Sequence, residues 1–99
     1  MGKRKIIVRQ SAAKAIAQIA FYIESKGLPI TAERYADSFY DFIETLSNDK
    51  KSFRLCSDSK RASLGFKCIQ FKNKYTIVFL ETEKTITVCE IISSKLIWW

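Results

Sequence analysis

Apolar residues recur at helical spacing in two stretches of the first half of the chain. In the first stretch, four of them share one helix face: Ile16, Ile19, Ala20 and Ile23. Ser11 stands where an N-cap is expected, and Gly27 can adopt the left-handed conformation that ends a helix. The pattern therefore predicts a first helix over residues 12–26.

The second stretch carries a wider apolar stripe that includes three aromatic rings. Its members are Ala32, Tyr35, Ala36, Phe39, Phe42, Ile43 and Leu46. Large apolar residues at this period bury a helix face in a core, and Thr31 is the predicted N-cap. Because only three or four residues join the two helices, we expect an antiparallel hairpin. We expect Phe39, Phe42 and Ile43 to pack on apolar strand residues. The expected strand partners are Ile77, Phe79, Ile86 and Val88.

The second half of the chain changes to a strand-like pattern rich in Ile, Val, Thr, Phe and Tyr. The predicted strands are residues 5–9, 64–72, 75–81 and 85–92. Short turns at 73–74 and 82–84 predict antiparallel pairing of the last three strands. Residues 48–63 form a polar connection with at most a short turn of structure. The order β-α-α-β-β-β predicts one α+β domain over residues 1–99, with an antiparallel sheet and the helical hairpin packed on one face.

Positive charge is concentrated in the stretch that leads into these strands. The net charge of the whole chain is +7, and residues 50–74 hold eight cations against Asp58 alone. The eight are Lys50, Lys51, Arg54, Lys60, Arg61, Lys67, Lys72 and Lys74. Such a field attracts phosphate backbones or an acidic protein partner, although a solvated lysine face gives the same composition.

The absence of histidine restricts the possible chemistry, because it removes the commonest general base and the commonest metal ligand. The three cysteines are Cys56, Cys68 and Cys89, which are odd in number, widely spaced and free of any C-x-x-C motif. This spacing indicates neither a disulfide framework nor a zinc site, so we expect reduced, buried cysteines. We expect no metal, no other cofactor and no small-molecule substrate.

Targeting signals are also missing from the sequence. No apolar run approaches the roughly 18 to 20 residues of a membrane span. The basic start is followed by only Ile6, Ile7 and Val8, too few for the apolar segment of a signal peptide. The sequence therefore predicts a cytoplasmic protein without a membrane partner.

Five segments spread along the chain carry a resemblance to a known family. They are YIESKG at residues 22–27, AERY at 32–35, FIETL at 42–46, YTIVF at 75–79 and ITVCEII at 86–92. In their order and apolar pattern these segments resemble the ParE/RelE superfamily of bacterial toxins, from type II toxin–antitoxin and plasmid-stabilisation modules. The resemblance covers roughly residues 5 to 95 and implies a toxin that inhibits growth.

The resemblance implies one of two modes of action. RelE-like members cleave messenger RNA on the ribosome with basic sheet residues and a terminal tyrosine or histidine, for which this chain offers Lys67, Tyr75 and Lys95. ParE-like members bind and poison DNA gyrase. Here Thr76 follows Tyr75 where the nuclease branch tends to keep an arginine, and the tail has neither tyrosine nor histidine. We therefore expect a non-enzymatic, ParE-like toxin, with the nuclease and a basic nucleic-acid-binding module as alternatives.

The resemblance also implies a partner, a cognate acidic antitoxin that neutralises the positive chain. Trp98 and Trp99 at the end of the chain either pack over the sheet or anchor this interface. The expected target- or antitoxin-binding cations, which should line one groove beside the sheet, are Arg54, Arg61, Lys67, Lys72 and Lys95.

Overall fold

The fold is a four-stranded sheet with a helical hairpin on one face. The computed structural model describes residues 4–48 and 53–93. Its elements are β1 (Lys5–Val8), α1 (Gln10–Ser25), α2 (Pro29–Thr45), α3 (Ser59–Ser63), β2 (Lys67–Phe71), β3 (Tyr75–Glu81) and β4 (Thr85–Ser93). The sheet order is β1-β4-β3-β2, so the first strand lies beside the last.

The predicted α+β class and element order are confirmed, with one correction to the sheet. Strands β2, β3 and β4 pair antiparallel as expected, but β1 pairs with β4 in parallel, from Lys5 opposite Thr85 to Val8 opposite Val88. A parallel pair needs a long crossover, and the chain between these strands supplies it. The sheet is therefore mixed.

Both helices begin earlier than their capping residues predicted. Arg9, which has no side-chain cap bond, is the N-cap of α1, and its backbone N–H donates to the Val88 carbonyl at 2.9 Å. Ser11 lies inside the helix, where its hydroxyl donates to the carbonyl of Cys89 at 2.7 Å. Helix α2 starts at Pro29, a residue that suits the first helical position, so Thr31 is not the N-cap.

Left-handed backbone conformations mark two of the turns. Gly27 has φ +83° between the two helices, as its position after α1 predicted. In the β2–β3 hairpin, Lys72 and Asn73 have φ of 54° and 57°, and the Lys74 N–H donates to the carbonyl of Phe71 at 3.1 Å. Positive φ at both central residues is typical of the type I′ turn that matches strand twist. The turn therefore centres on residues 72–73, one residue earlier than predicted.

An aromatic cluster joins α2 to the far strands of the sheet. The ring centroid of Phe39, which has no exposed surface, lies 4.5 Å from that of Phe71 and 5.4 Å from that of Tyr75. Phe42 contacts Phe71 at 5.0 Å. The buried core around these rings contains Ile43 of the same helix and the predicted strand partners Ile77, Phe79, Ile86 and Val88. The expected packing of α2 on the sheet is confirmed.

The connection between α2 and β2 is more ordered than a polar loop. Residues 59–63 form α3, and Leu55 pairs with Lys67 in an isolated antiparallel bridge along the outer side of β2. This register places the Cα atoms of Cys56 and Cys68 4.8 Å apart, within the range that a disulfide spans, and the two are bonded. The expectation that both are reduced is wrong, because pairing depends on this register and not on a spacing motif. Cys89 is free and buried, as expected.

Replacement of Phe39 by alanine should lower the free energy of unfolding by about 3 to 5 kcal/mol, because it leaves a cavity under α2. Urea denaturation of both proteins measures the difference. Asp41→Ala, at an exposed position of the same helix, should change it by about 0.5 kcal/mol or less. Equal losses in the two variants would contradict the packing of Phe39 in the core.

Candidate partner-binding surface

A buried ion-pair network lies at one end of the sheet, on the face that the helices cover. Arg4, only 8% exposed, donates to the Glu81 carboxylate and to the backbone carbonyl of Asn48 at 2.7 Å. On the other side of that carboxylate, Lys67 Nζ lies 3.0 Å from Glu81 Oε1. The network connects the start of β1 and the ends of α2 and β3. The charge of Lys67 is therefore paired within the fold by Glu81.

The two cations shift the titration of the carboxyl group that they share. Burial alone raises the pKa of Glu81, but the hydrogen bonds and charges of Arg4 and Lys67 outweigh it, so the pKa of Glu81 is lowered from 4.5. A lowered pKa in the folded state means that ionised Glu81 stabilises the fold at neutral pH. That contribution is lost as the pH falls below the ordinary value for glutamate.

Arg61 is also paired with acidic residues, but on the opposite face of the sheet. Its guanidinium lies 3.1 Å from Asp58, the N-cap of α3, and 3.3 Å from Glu90 on β4. Glu90 is opposite Val78, whereas Lys67 is opposite Phe79 in the helix-facing core. Arg61 and Lys67 therefore lie on different faces, and the predicted single groove does not form from the described residues.

Three further exposed cations lie beside β2 or at its end: Arg54 in the segment bridged to β2, and Lys72 and Lys74 in the β2–β3 turn. We call this set the basic edge. Residues 59–80 contain no aspartate or glutamate. Within residues 4–48 and 53–93, no carboxylate lies within ion-pair distance of these three side chains. The Lys72 ammonium instead lies 4.6 Å from the ring centroid of Tyr35, a cation–π contact that leaves its charge in place.

The backbone of β2 is partly open beside the basic edge. The Cys68 N–H points outward and donates to the carbonyl of Arg54 at 3.4 Å. Alternate residues of a strand point their N–H groups the same way, so that of Gln70 also points outward, where the described structure places no further strand. A cavity of about 220 Å³, the edge cavity, opens at this position. It is lined by Arg54, Leu55, Ser57, Cys68, Ile69, Gln70 and Thr76. A positively charged sheet edge with unpaired backbone groups can accept an extended acidic segment.

Comparison with known proteins places the chain in a family. A sequence model described as the ParE toxin of the type II toxin–antitoxin system parDE matches residues 6–98. The chain belongs to the ParE toxin family. A solved structure described as the chromosomal ParDE toxin–antitoxin system from P. aeruginosa matches with a TM-score of 0.75 and 13% identity. The match covers 92% of this chain and 96% of that one, and it shows a common fold. A search of curated protein sequences finds no match.

In this ParE family member, two of the predicted catalytic candidates, Lys67 and Tyr75, do not converge. Tyr75 is opposite Phe71 and packs in the aromatic cluster, whereas Lys67 lies at the other end of β2. Four residues of strand separate those positions, or about 13 Å. Lys95, Trp98 and Trp99 lie outside the described residues.

Neither a metal centre nor a membrane span is found in the described part of this family member. Residues 4–48 and 53–93 hold no group of three or more His, Cys, Asp or Glu residues that could bind a metal ion. None of the helices in those residues is long and apolar enough to cross a membrane.

Glu81→Gln should lower the free energy of unfolding at neutral pH by about 1 to 3 kcal/mol, because Arg4 stays buried without its counter-charge. The difference from wild type should shrink as the pH falls below the ordinary glutamate pKa of about 4.3, because the unfolded chain then binds a proton that folded Glu81, with its lowered pKa, resists. Urea denaturation across this pH range measures both effects.

Glu83→Gln, at an exposed position of the β3–β4 turn, is the matched control. Its unfolding free energy should follow wild type at every pH. A Glu81→Gln deficit that stays constant down to about pH 3 would show that the charge of Glu81 does not matter to the fold.

Proposed function

We propose that this chain is the toxin of a ParDE-type pair and that it inhibits growth by binding DNA gyrase, without cutting RNA. The separation of Lys67 from Tyr75 carries the proposal. Lys67 Nζ is engaged by Glu81, and the ring of Tyr75 packs on Phe39, about 13 Å away along the strands. Membership of the ParE family supports the same assignment.

Cleavage of RNA by attack of the 2′-hydroxyl needs three groups around one phosphate. A base removes the hydroxyl proton, a cation stabilises the phosphorane, and an acid protonates the leaving 5′-oxygen. A chain without histidine must bring lysine, arginine, tyrosine or carboxylate groups together for these roles. The described residues supply exposed cations that can bind a partner, and this arrangement favours binding over catalysis.

The cognate antitoxin that we propose is an acidic protein that lies along the basic edge. Arg54, Lys72 and Lys74 attract its carboxylates, and the outward backbone groups of β2 at Cys68 and Gln70 hold an extended segment. The similar P. aeruginosa structure is described as a toxin–antitoxin system, which supports an antitoxin partner. Lys95, Trp98 and Trp99 stay predicted members of the interface. A cytoplasmic location and a part in plasmid stabilisation belong to the same proposal.

Induced expression in a bacterial host, followed by sequencing of cellular RNA, tests the mode of action. We expect growth arrest with a DNA-damage response and intact transcripts, and purified protein should trap gyrase on cleaved DNA. Codon-positioned cleavage of transcripts would instead indicate a RelE-like nuclease. Salt-sensitive binding to naked nucleic acid without growth arrest would indicate a nucleic-acid-binding module. Either of these results would overturn the proposal.

Charge reversal tests the basic edge. Arg54→Glu combined with Lys72→Glu should weaken binding of the co-expressed antitoxin by at least about tenfold, because two attractive charges become repulsive. Lys14→Glu in α1 combined with Lys26→Glu at the C-cap of α1 is the matched control. It changes the net charge equally, and Lys26, like Lys72, lies over a tyrosine ring. The control pair should bind like wild type, measured by titration calorimetry.

If both pairs weaken binding equally, only net charge matters and the basic edge is not the interface. Arg61 and Lys67 are unsuitable for this test. Their reversal would break ion pairs with Asp58, Glu90 and Glu81 and would report on the fold.

A further inference from the structure

The two sulfur atoms of the disulfide are in different surroundings. Cys56 is 4% exposed and counts among the core residues, whereas Cys68 is half-buried and lines the edge cavity. Thiol–disulfide exchange proceeds by attack of a thiolate on one sulfur, and the outcome depends on which sulfur can be reached. The cavity gives an incoming thiol access to Cys68.

The lining of the edge cavity selects among thiols. Its charged member is Arg54, which is exposed and has no carboxylate within ion-pair distance among residues 4–48 and 53–93. Ser57 and Gln70 add polar groups to the same lining. A guanidinium in the cavity lining attracts a thiolate, and it attracts more strongly a thiol that also carries carboxylates. The cavity therefore suits a small anionic monothiol.

The disulfide is also the covalent hold on the strand-like segment outside β2. The described backbone bonds of that segment to β2 are Cys56 N–H to the Phe66 carbonyl at 3.0 Å and Cys68 N–H to the Arg54 carbonyl at 3.4 Å. Leu55, between them, is 52% exposed. Phe53 packs on Phe79 and anchors only the start of the segment. Once the disulfide opens, residues 54–57 would be held only by these two hydrogen bonds and by the packing of the buried Cys56 side chain.

We propose that the Cys56–Cys68 disulfide is a thiol-exchange site, which an anionic monothiol of the glutathione class enters through the edge cavity. Its thiolate attacks Cys68 Sγ, the Cys56–Cys68 bond breaks, and Cys56 leaves as a thiolate that takes a proton from water. A mixed disulfide remains on Cys68. A second thiolate attacks the monothiol's sulfur and releases the small disulfide and the Cys68 thiolate, so that the protein gains two electrons from two thiols.

The third cysteine is a bystander in this exchange. Cys89 is 5% exposed, and its thiol donates to the carbonyl of Thr87 at 3.4 Å. Burial raises the pKa of the Cys89 thiol, which keeps it protonated and unreactive. It therefore serves as an internal control for access.

Opening of the site exposes more of the outer backbone of β2. With residues 54–57 released, the outer backbone groups of Phe66 and Cys68 join those of Gln70 in a longer unpaired edge. Cytoplasmic disulfides are typically transient or redox-sensing, so this site would respond to the thiol pool. The chemistry itself does not depend on the function proposed above.

Mass spectrometry of the oxidised full chain treated with glutathione maps the exchange. We expect one disulfide between Cys56 and Cys68 before treatment, and a glutathione adduct on Cys68 in preference to Cys56 after it. Cys89 should stay unmodified. Three free thiols in protein purified under air, or an adduct chiefly on Cys56, would overturn the proposal.

Comparison of two thiols tests the selectivity of the cavity. At equal thiolate concentration, glutathione should open the disulfide about two- to fivefold faster than the cationic thiol cysteamine, as a near-surface charge contact allows. Arg54→Glu should reverse the order and Arg54→Lys should keep it. About 1 M salt, where the Debye length is near 3 Å, should remove the difference. Equal rates for the two thiols at low salt in wild type would exclude a role for Arg54.

Hydrogen–deuterium exchange measures the structural consequence. The amides of Cys56 and Cys68, which donate to the Phe66 and Arg54 carbonyls, should exchange faster in the glutathione-treated protein, while those of β4 stay protected. The Cys56→Ser, Cys68→Ser double variant should reproduce this pattern without any thiol. If both forms leave residues 54–57 as protected as in the oxidised protein, opening the disulfide frees nothing, and that part of the proposal is wrong.

Discussion

The packing of Phe39 against Phe71 and Tyr75 is the contact on which the rest of this structure depends. It sets α2 against the two strands furthest from β1 and buries the rings at the turn end of those strands. Because Phe71 and Tyr75 flank the β2–β3 turn, the same contact fixes where Lys72 emerges. The apolar packing of the β2–β3 hairpin thus determines where the charge of Lys72 lies on the surface.

Charge in this protein is divided between the fold and the surface. Arg4, Arg61 and Lys67 meet carboxylates from distant parts of the chain, so their charges are compensated where they lie. The cations of the β2 edge have no such partners among the described residues. Although residues 50–74 are basic throughout in sequence, the described part of the fold leaves only a small set of exposed, unpaired cations beside an open strand edge. Such an edge suits an extended acidic chain.

The fold could be predicted where it follows from the periodicity of apolar residues, and it could not where it depends on contacts between residues distant in the sequence. The α2 stripe and the bounds of β3 follow from local patterns, so both could be predicted. The N-cap of α1 could not, because the Arg9 N–H is held by Val88 on the last strand. The partners of Lys67 and Cys68 escaped prediction for the same reason, since strand register decides them. Of the candidate site, the sequence indicated its charge but not which cations stay exposed.

The parallel pairing of β1 with β4 has a consequence for folding during synthesis of the chain. Lys5 pairs with Thr85, and nearly the whole described chain lies between these two residues. Contacts of such long sequence separation raise the contact order of a protein and slow its folding. When the first half of the chain has been synthesised, the helical hairpin has no sheet to pack against. The apolar stripe of α2 therefore stays exposed to water or to chaperones until the remaining strands follow. The four-stranded sheet cannot be completed until β4 has been synthesised, because β4 joins β1 to the other two strands.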